Sequence, residues 1–406
     1  MPDETIRPSA SASSAIIDWL LTDARRLPSG PALLKELGQR LYAKGLPLMR
    51  ASFHVRTLHP QLYGIGFFWY RGQDDIRIFE ARHGLRDTDL YQRSPLRLIF
   101  DEGVDQIHES LERDDDSLEF PLYAELKAEG MTDYLSLPLT FSDGKTHATT
   151  WTTDRRGGFA ADDIEQVKTI LPIFSLLIEI HLNRRIAINL LNTYVGHHAG
   201  ERILDGQITR GNGESVEAAI WFCDLRGFTK TSESKSRDQL LSLLNQYFDR
   251  MAEPVTSEGG EILKFIGDAM LAIFPLDDEV GDDACKRALN AAIQAQESMA
   301  ELNMERATLG QDRLACGIAL HVGEVMYGNI GSANRLDFTV IGPAVNLTSR
   351  IEGMCRRLGS NILLSDDFSE RCGSANPRRS LGLHQLAGIR RKVELFTPDI
   401  DDKPSL

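Results

Sequence analysis

The sequence predicts an α+β protein with two compact domains joined by a helical segment. A chain of 406 residues with 42% hydrophobic content is long enough for two or three domains with sizeable cores. Helical and strand-like segments alternate over residues 215–397, and five strand-like segments with helices before and after them occupy residues 15–172. The predicted division is an arm at 1–14 expected to be disordered, a first domain at 15–172, a helical stalk and transducer at 173–214, a second domain at 215–397 and a tail at 398–406.

The first domain is predicted from its β-branched and aromatic segments. Two helical patterns lie between Ala15 and Lys44, and a short helix is expected at Pro121–Glu129. The residues Ser142–Lys145 (SDGK) are a hairpin signal. The predicted strands are Ala51–Leu58, Gln61–Tyr70, Ile76–Glu80, Tyr134–Phe141 and Thr146–Thr153.

The end of this domain, YLSLPLTFSDGKTHATTWTT followed by GGFAADDIEQVKTILPIF, resembles the last hairpin and closing helix of a GAF domain. The resemblance implies a sensor for a small molecule that the sequence does not identify. Phe68, Trp69 and Trp151 either line its cavity or belong to the core. No cysteine precedes residue 200, which excludes a thioether-linked chromophore.

A helical stalk is predicted after the first domain. Its apolar positions step by three and four residues, which is the seam of a coiled coil, and Asn183 continues the series. The alternative is an amphipathic helix packed on its own domain. Glycines from Gly196 onward are expected to end the helix. The seam residues are Ile173, Leu176, Ile180, Ala187, Leu190 and Tyr194.

Charge and cysteine usage limit the partners. The net charge of −14 argues against nucleic acid or an anionic membrane surface, since both require clustered Lys and Arg. The five cysteines show no metal-binding spacing, which suits a reducing cytoplasm. The first residues lack the pattern of a secretory signal, and no apolar stretch is long enough to span a bilayer. We therefore expect a soluble, cytoplasmic protein.

Two aspartates in the second domain are candidate metal ligands. Asp224 ends the apolar strand Val216–Cys223, and Asp268 lies at the turn between strands Glu261–Ile266 and Ala269–Phe274. Hard cations such as Mg²⁺ prefer carboxylate oxygens held on rigid elements. Asp224 could instead cap the next helix, and Asp268 could be an ordinary turn residue.

Other polar residues suit a nucleotide. After Asp224, the turn formed by Gly227, Phe228 and Thr229 can bring backbone amides to a phosphate. Lys264 lies in an otherwise apolar strand, where a buried ammonium needs a partner, so we expect it to face a cleft. Asn346 and Arg350 are four residues apart and share one helix face.

Together these motifs resemble the catalytic domain of the class III adenylyl cyclases over about residues 215–397. The resemblance implies a ferredoxin-like fold with helices on one face of the sheet. It also implies that Asp224 and Asp268 bind two Mg²⁺ or Mn²⁺ ions and that Lys264 and Thr339 recognise adenine. A phosphate contact is expected from the basic cluster Arg390-Arg391-Lys392 and is assigned to Lys392, although any of the three could reach. Asn346 would orient the ribose and Arg350 would meet charge on the α-phosphate in the transition state.

The resemblance further implies a homodimer, because the family builds each site from two protomers. One protomer would supply Asp224 and Asp268, and the other would supply Lys264, Thr339, Asn346 and Arg350. The predicted activity is adenylate cyclase, a phosphorus–oxygen lyase that makes cyclic AMP from ATP. A guanylate cyclase and an inactive nucleotide-binding regulatory protein are the alternatives. Thr339 stands where many members carry Asp and matches a bicarbonate-responsive subclass, so bicarbonate stimulation is a further hypothesis.

Overall fold

The computed structural model describes residues 10–114, 118–209, 211, 213–276, 283–373 and 377–399. The chain forms two compact units that divide between Leu190 and Leu191. Residues 1–9 of the predicted arm and 400–406 of the predicted tail lie outside the described ranges. Among the helices of the described part, none has the length and apolar character needed to cross a membrane.

The first unit is built on an antiparallel sheet. Its strands are β1 (Arg50–Arg56), β2 (Leu62–Tyr70), β3 (Arg77–Arg82), β4 (Ile107–Ser110), β5 (Asp133–Thr140) and β6 (Thr146–Thr153). Its helices are α1 (Ala10–Leu21), α2 (Gly30–Ala43), α3 (Asp89–Gln92), α4 (Leu96–Asp101), α5 (Pro121–Ala128) and α6 (Ala161–Tyr194).

The six strands lie in the order β3-β2-β1-β6-β5-β4. The five predicted strands and the helix α5 are confirmed to within a few residues, whereas β4 was missed. One face of the sheet packs against α1, α2 and α6. Alternation along β2 places Trp69 in that core, and Trp151 of β6 lies in the same core, while Phe68 points to the opposite face.

The helix α6 has two unlike faces. Val167, Phe174 and Ile178 are buried in the core of the first unit. Most of the predicted seam faces away, with Leu176 54% and Ile180 56% exposed, whereas Ile173 packs against that core. The helix ends before Gly196, whose φ of 101° is typical of glycine.

The second unit contains the remaining elements. Its strands are β7 (Gly213–Leu225), β8 (Glu261–Ile266), β9 (Ala269–Pro275), β10 (Cys316–Ser332), β11 (Arg335–Ile341), β12 (Ile362–Ser365), β13 (Arg378–Gln385) and β14 (Lys392–Pro398). Its helices are α7 (His197–Leu204), α8 (Phe228–Ser234), α9 (Arg237–Ser257), α10 (Asp283–Thr308), α11 (Pro343–Glu352), α12 (Cys355–Leu358) and α13 (Asp366–Arg371). The sequence predicted only a glycine-rich joint over the residues that form α7.

The strands β10-β7-β9-β8 are neighbours in that order, and each adjacent pair is antiparallel. With the helices between them, this is the ferredoxin-like arrangement predicted from the sequence. The prediction of helices on one face was wrong. Residues of α9 and α10 share a hydrophobic cluster with one face of the sheet, and residues of α7 and α11 contribute to clusters on the other. Strands that are apolar on both faces, such as β7, require this double cover.

Candidate active site

Two aspartates meet at one end of the second sheet. The strand β9 runs antiparallel beside β7, with Met270 opposite Cys223. Asp224 follows Cys223, and Asp268 precedes β9, so the register brings the two residues side by side. The Asp268 carboxylate lies within hydrogen-bonding reach of Asp224. Asp224 does not cap α8, because Gly227 occupies the N-cap position.

This acidic pair has perturbed electrostatics. Burial, and then the charge and hydrogen bond of Asp268, raise the pKa of Asp224 to about 6. Two carboxylates in one half-buried site repel each other, and a divalent cation between them would offset that repulsion. The donor set therefore fits Mg²⁺ or Mn²⁺. Within the described ranges no group of three or more His, Cys, Asp or Glu side chains could hold a metal ion, so water and substrate oxygens would complete the coordination.

Glu352 is a third carboxylate near the pair, and the sequence reading missed it. Burial, and then the charges of Asp224 and Asp268, raise its pKa to about 7, while Arg226 acts in the opposite direction. Arg226 donates a hydrogen bond to the Ser360 carbonyl oxygen at 2.7 Å. A Glu at the end of a helix is ordinarily a surface residue, so its sequence position carried little signal.

The turn after β7 has the predicted glycine geometry. Gly227 has φ 75° and ψ 18°, which is the left-handed region that favours glycine. The half-buried Phe228 ring packs against the core. Thr229 is exposed in the first turn of α8. The exposed turn leaves room for a ligand beside the acidic pair.

Lys264 has a carboxylate partner in its own chain. Its Nζ lies 3.2 Å from Oδ2 of Asp337 on β11. Thr339 lies two residues farther along β11, on the same side of the strand as Asp337, and is only 6% exposed. The sequence reading predicted Lys264 and Thr339 but not Asp337. The strand β11 thus brings an acidic residue and a hydroxyl residue to the lysine.

Asn346 and Arg350 are exposed on α11. Between them on the helix, Leu347 and Thr348 are buried and hold α11 against the sheet. The two polar side chains therefore project from one outer face, as predicted. No hydrogen bond or ion pair in the described part of the chain links them to the acidic pair.

Lys392 lies far from the acidic pair along the strands. The strand β10 is antiparallel to β7 and parallel to β12, and β12 is antiparallel to β14, so β14 runs in the same direction as β7. Lys392 is the first residue of β14, whereas Asp224 lies near the last residue of β7. The two residues are thus at opposite ends of the same sheet. The neighbouring Arg391 is engaged by Asp366 at 3.2 Å and Asp367 at 2.9 Å.

Comparison with known proteins finds similarity over part of the chain. Residues 212–374 match the family described as the adenylate and guanylate cyclase catalytic domain. An adenylate cyclase of Anabaena cylindrica is 40% identical over 160 residues, which cover 38% of this chain and 31% of that protein. Adenylate cyclase 1 of Rhizobium meliloti is 28% identical over 183 residues, covering 44% of this chain and 27% of that protein. The solved structure of a bacterial light-regulated adenylyl cyclase is 28% identical with a TM-score of 0.48, covering 57% of this chain and 64% of that one.

Residues 212–374 therefore match an adenylate and guanylate cyclase catalytic domain, as predicted for this part of the chain. Three of its relatives over this part are adenylate cyclases, and the matched domain is a cyclase catalytic domain. The chain spans less than a third of the length of the first two of these relatives.

Proposed function

We propose that this protein converts ATP to 3′,5′-cyclic AMP and pyrophosphate at sites shared by two copies of the chain. The observation that carries the proposal is the placement of Asp224 and Asp268 side by side, by the register of β7 and β9, at the end of a ferredoxin-like sheet. When bound there, two Mg²⁺ or Mn²⁺ ions would neutralise the triphosphate and make the ribose 3′-hydroxyl a better nucleophile.

The chain's own residues would position the substrate. Lys264 would donate to a ring nitrogen of adenine, and Thr339 would accept from the exocyclic amino group. Asn346 would hold the ribose so that its 3′-oxygen lies in line with the α-phosphorus. Arg350 would donate to the α-phosphate oxygens as negative charge accumulates there. Lys392 would contact the phosphates.

A shared site accounts for the separation of these groups. Lys392 and Asp224 lie at opposite ends of one sheet, so a single protomer does not bring them together. Exposed apolar residues support a dimer surface. Phe265 and Ile266 are about half exposed on β8, and Met326 lies opposite the exposed Ile341 on β10 and β11. A head-to-tail dimer would bury such residues and complete two equivalent sites.

Product analysis tests the activity. Purified protein with Mg²⁺ or Mn²⁺ is incubated with ATP and, separately, with GTP, and the cyclic products are separated by chromatography. We expect cyclic AMP from ATP at a much higher rate than cyclic GMP from GTP. The reverse preference would identify a guanylate cyclase, and no product with either nucleotide would indicate an inactive regulatory protein.

We also propose that the first unit is a GAF-like sensor and that the exposed seam of α6 forms a parallel coiled coil. The six-stranded antiparallel sheet, flanked by helices and with a cavity of about 560 Å³, supports the sensor. The exposure of Leu176 and Ile180 supports the coiled coil, since these apolar side chains have water as their surroundings in the single chain.

Bicarbonate stimulation belongs to the same proposal. It is supported by a hydroxyl residue, Thr339, at the position where many relatives were expected to carry Asp. Cyclase rates measured with sodium bicarbonate and with sodium chloride at the same pH and ionic strength test it. We expect a higher rate with bicarbonate, and equal rates would remove the hypothesis.

A further inference from the structure

The first unit contains a cavity on the face of its sheet opposite the main core. Its volume is about 560 Å³, which suits a metabolite-sized molecule. The strands β1 and β2, the segment containing α3 and α4, and α5 form its walls. The lining is mainly apolar and aromatic, including Phe68, Phe79, Tyr91, Leu96, Phe100 and Leu122.

A buried arginine lies in this apolar lining. Arg50 is only 6% exposed, and its guanidinium stacks 4.8 Å from the Phe68 ring centroid and 5.7 Å from that of Tyr70. Its Nε is buried without a hydrogen-bond partner, and within the described ranges the side chain makes no ion pair. Contact with aromatic faces offsets only part of the cost of burying a cation. The positive charge of Arg50 therefore has no anionic partner in the described part of the cavity, and an anionic ligand would supply one.

The other charged groups in the lining do not provide a buried negative charge beside Arg50. Arg56 is paired with Asp101, at 3.3 Å. Burial, and then the charge of Arg50, lower the pKa of His54 to about 3, so this imidazole is neutral near pH 7. The carboxylates of Asp89 and Glu125 belong to exposed residues.

Two further groups complete the lining. The exposed Arg93 adds a second positive charge. The Tyr63 hydroxyl is buried without a hydrogen-bond partner among the described residues, which makes it a second unsatisfied donor in the same cavity.

We propose that this cavity binds a small organic acid, with its carboxylate paired to the Arg50 guanidinium and its apolar body against the aromatic wall. A carboxylate matches the guanidinium because two parallel N–H donors can bind its two oxygens. The Tyr63 hydroxyl can donate a further hydrogen bond to the acid. The inference rests on the proposed sensor function only for its link to cyclase output.

Calorimetric titration of the full chain tests the proposal with matched acids and amides. The probes are 2-naphthoate with 2-naphthamide and octanoate with octanamide, which differ in charge and hardly in shape. We expect at least one acid to bind about tenfold or more tightly than its amide, because only the acid pairs with Arg50. Failure of both acids to bind, or equal binding of acid and amide in both pairs, would overturn the proposal.

Substitutions locate the effect. Arg50→Met should weaken binding of the preferred acid about tenfold or more and leave its amide unchanged. Arg50→Lys retains a positive charge but lacks the paired N–H donors of a guanidinium. Its affinity for the acid should lie between those of the wild-type and Arg50→Met proteins. Arg77→Met is the control, because Arg77 also stacks on Tyr70, at 4.5 Å, but is exposed and outside the cavity lining. Unchanged acid binding by folded Arg50→Met and Arg50→Lys proteins would refute the assignment.

Cyclase rates measured with the same acids separate this inference from the proposed function. Binding with no change in rate would support the site and argue against a sensory role. A protein without cyclase activity would still report acid binding by calorimetry.

Discussion

At the scale of single residues, the second unit presents polar groups on well-supported backbone. Arg350 is exposed, whereas its helix neighbours Leu347 and Ile351 are buried. Its position is thus held by the packing of α11, while its guanidinium stays available to a substrate. A group placed in advance in this way stabilises transition-state charge without a reorganisation cost.

Arg350→Ala should lower kcat about 100- to 1,000-fold, because one preorganised donor to the developing charge is lost. The melting temperature should change little, since the side chain is exposed. Steady-state kinetics with ATP measure the effect, and Arg357→Ala, an exposed arginine on α12, is the control. Turnover by Arg350→Ala equal to that of the control would contradict the assigned role.

We propose that Asp337 positions Lys264, its ion-pair partner, for the nucleotide base. Asp337→Asn removes the ion pair to Lys264 and should raise the KM for ATP about three- to tenfold while narrowing the preference for ATP over GTP. Kinetics with both nucleotides measure the two effects. Glu370→Gln neutralises an exposed carboxylate on α13 and serves as the control. A merely structural role would lower stability and leave the nucleotide preference intact.

At the scale of elements, α6 combines two functions on opposite faces. Its buried face closes the core of the first unit, and its exposed seam carries apolar side chains at coiled-coil spacing. The sequence alone left open whether this stripe packs on its own domain. The structure assigns most of the domain contacts to a different stripe, although Ile173 of the seam also packs on the core, and Leu176 and Ile180 remain exposed.

Ile180→Glu should weaken dimerisation of the full chain about tenfold or more, because two like charges would face each other in an apolar seam. Analytical ultracentrifugation over a concentration series measures the dissociation constant. The secondary structure and melting temperature should stay the same, since Ile180 is 56% exposed in the single chain. Lys168→Glu, an exposed position of the same helix outside the seam, is the control. Equal dissociation constants for the two variants would show that the stalk does not contribute to dimerisation.

At the scale of the whole molecule, the shared site predicts complementation. Asp224→Ala and Arg350→Ala proteins should each be nearly inactive. A mixture that exchanges subunits should recover about a quarter of wild-type activity. Half of the dimers that form contain one subunit of each variant, and each of these mixed dimers has one intact site out of two.

The mixture of Asn346→Ala with Arg350→Ala is the control for this complementation. In the proposed arrangement both residues belong to the same half of the site, so no dimer in that mixture would have an intact cleft. Cyclic AMP production measures both mixtures. Equal, negligible activity in the two would show that each site is complete within one chain.

The sequence by itself determined the order of strands and helices and the two aspartates of the acidic pair. Those features are local, because strand periodicity and turn residues lie within a few positions of each other. Two elements that the sequence did not predict have weak local signals. The four-residue strand β4 is held by pairing with β5, and α7 contains a glycine that its helix buries at residue 200.

Only the tertiary structure decided the long-range arrangements. The ion pair of Lys264 with Asp337 joins residues 73 positions apart. Arg50 is identified as a candidate ligand-binding residue only because segments distant in sequence enclose it in a cavity. The nearness of Glu352 to Asp224 likewise depends on how α11 packs on the sheet. Charge, burial and hydrogen bonding between such residues depend on distances in space, which sequence separation does not specify.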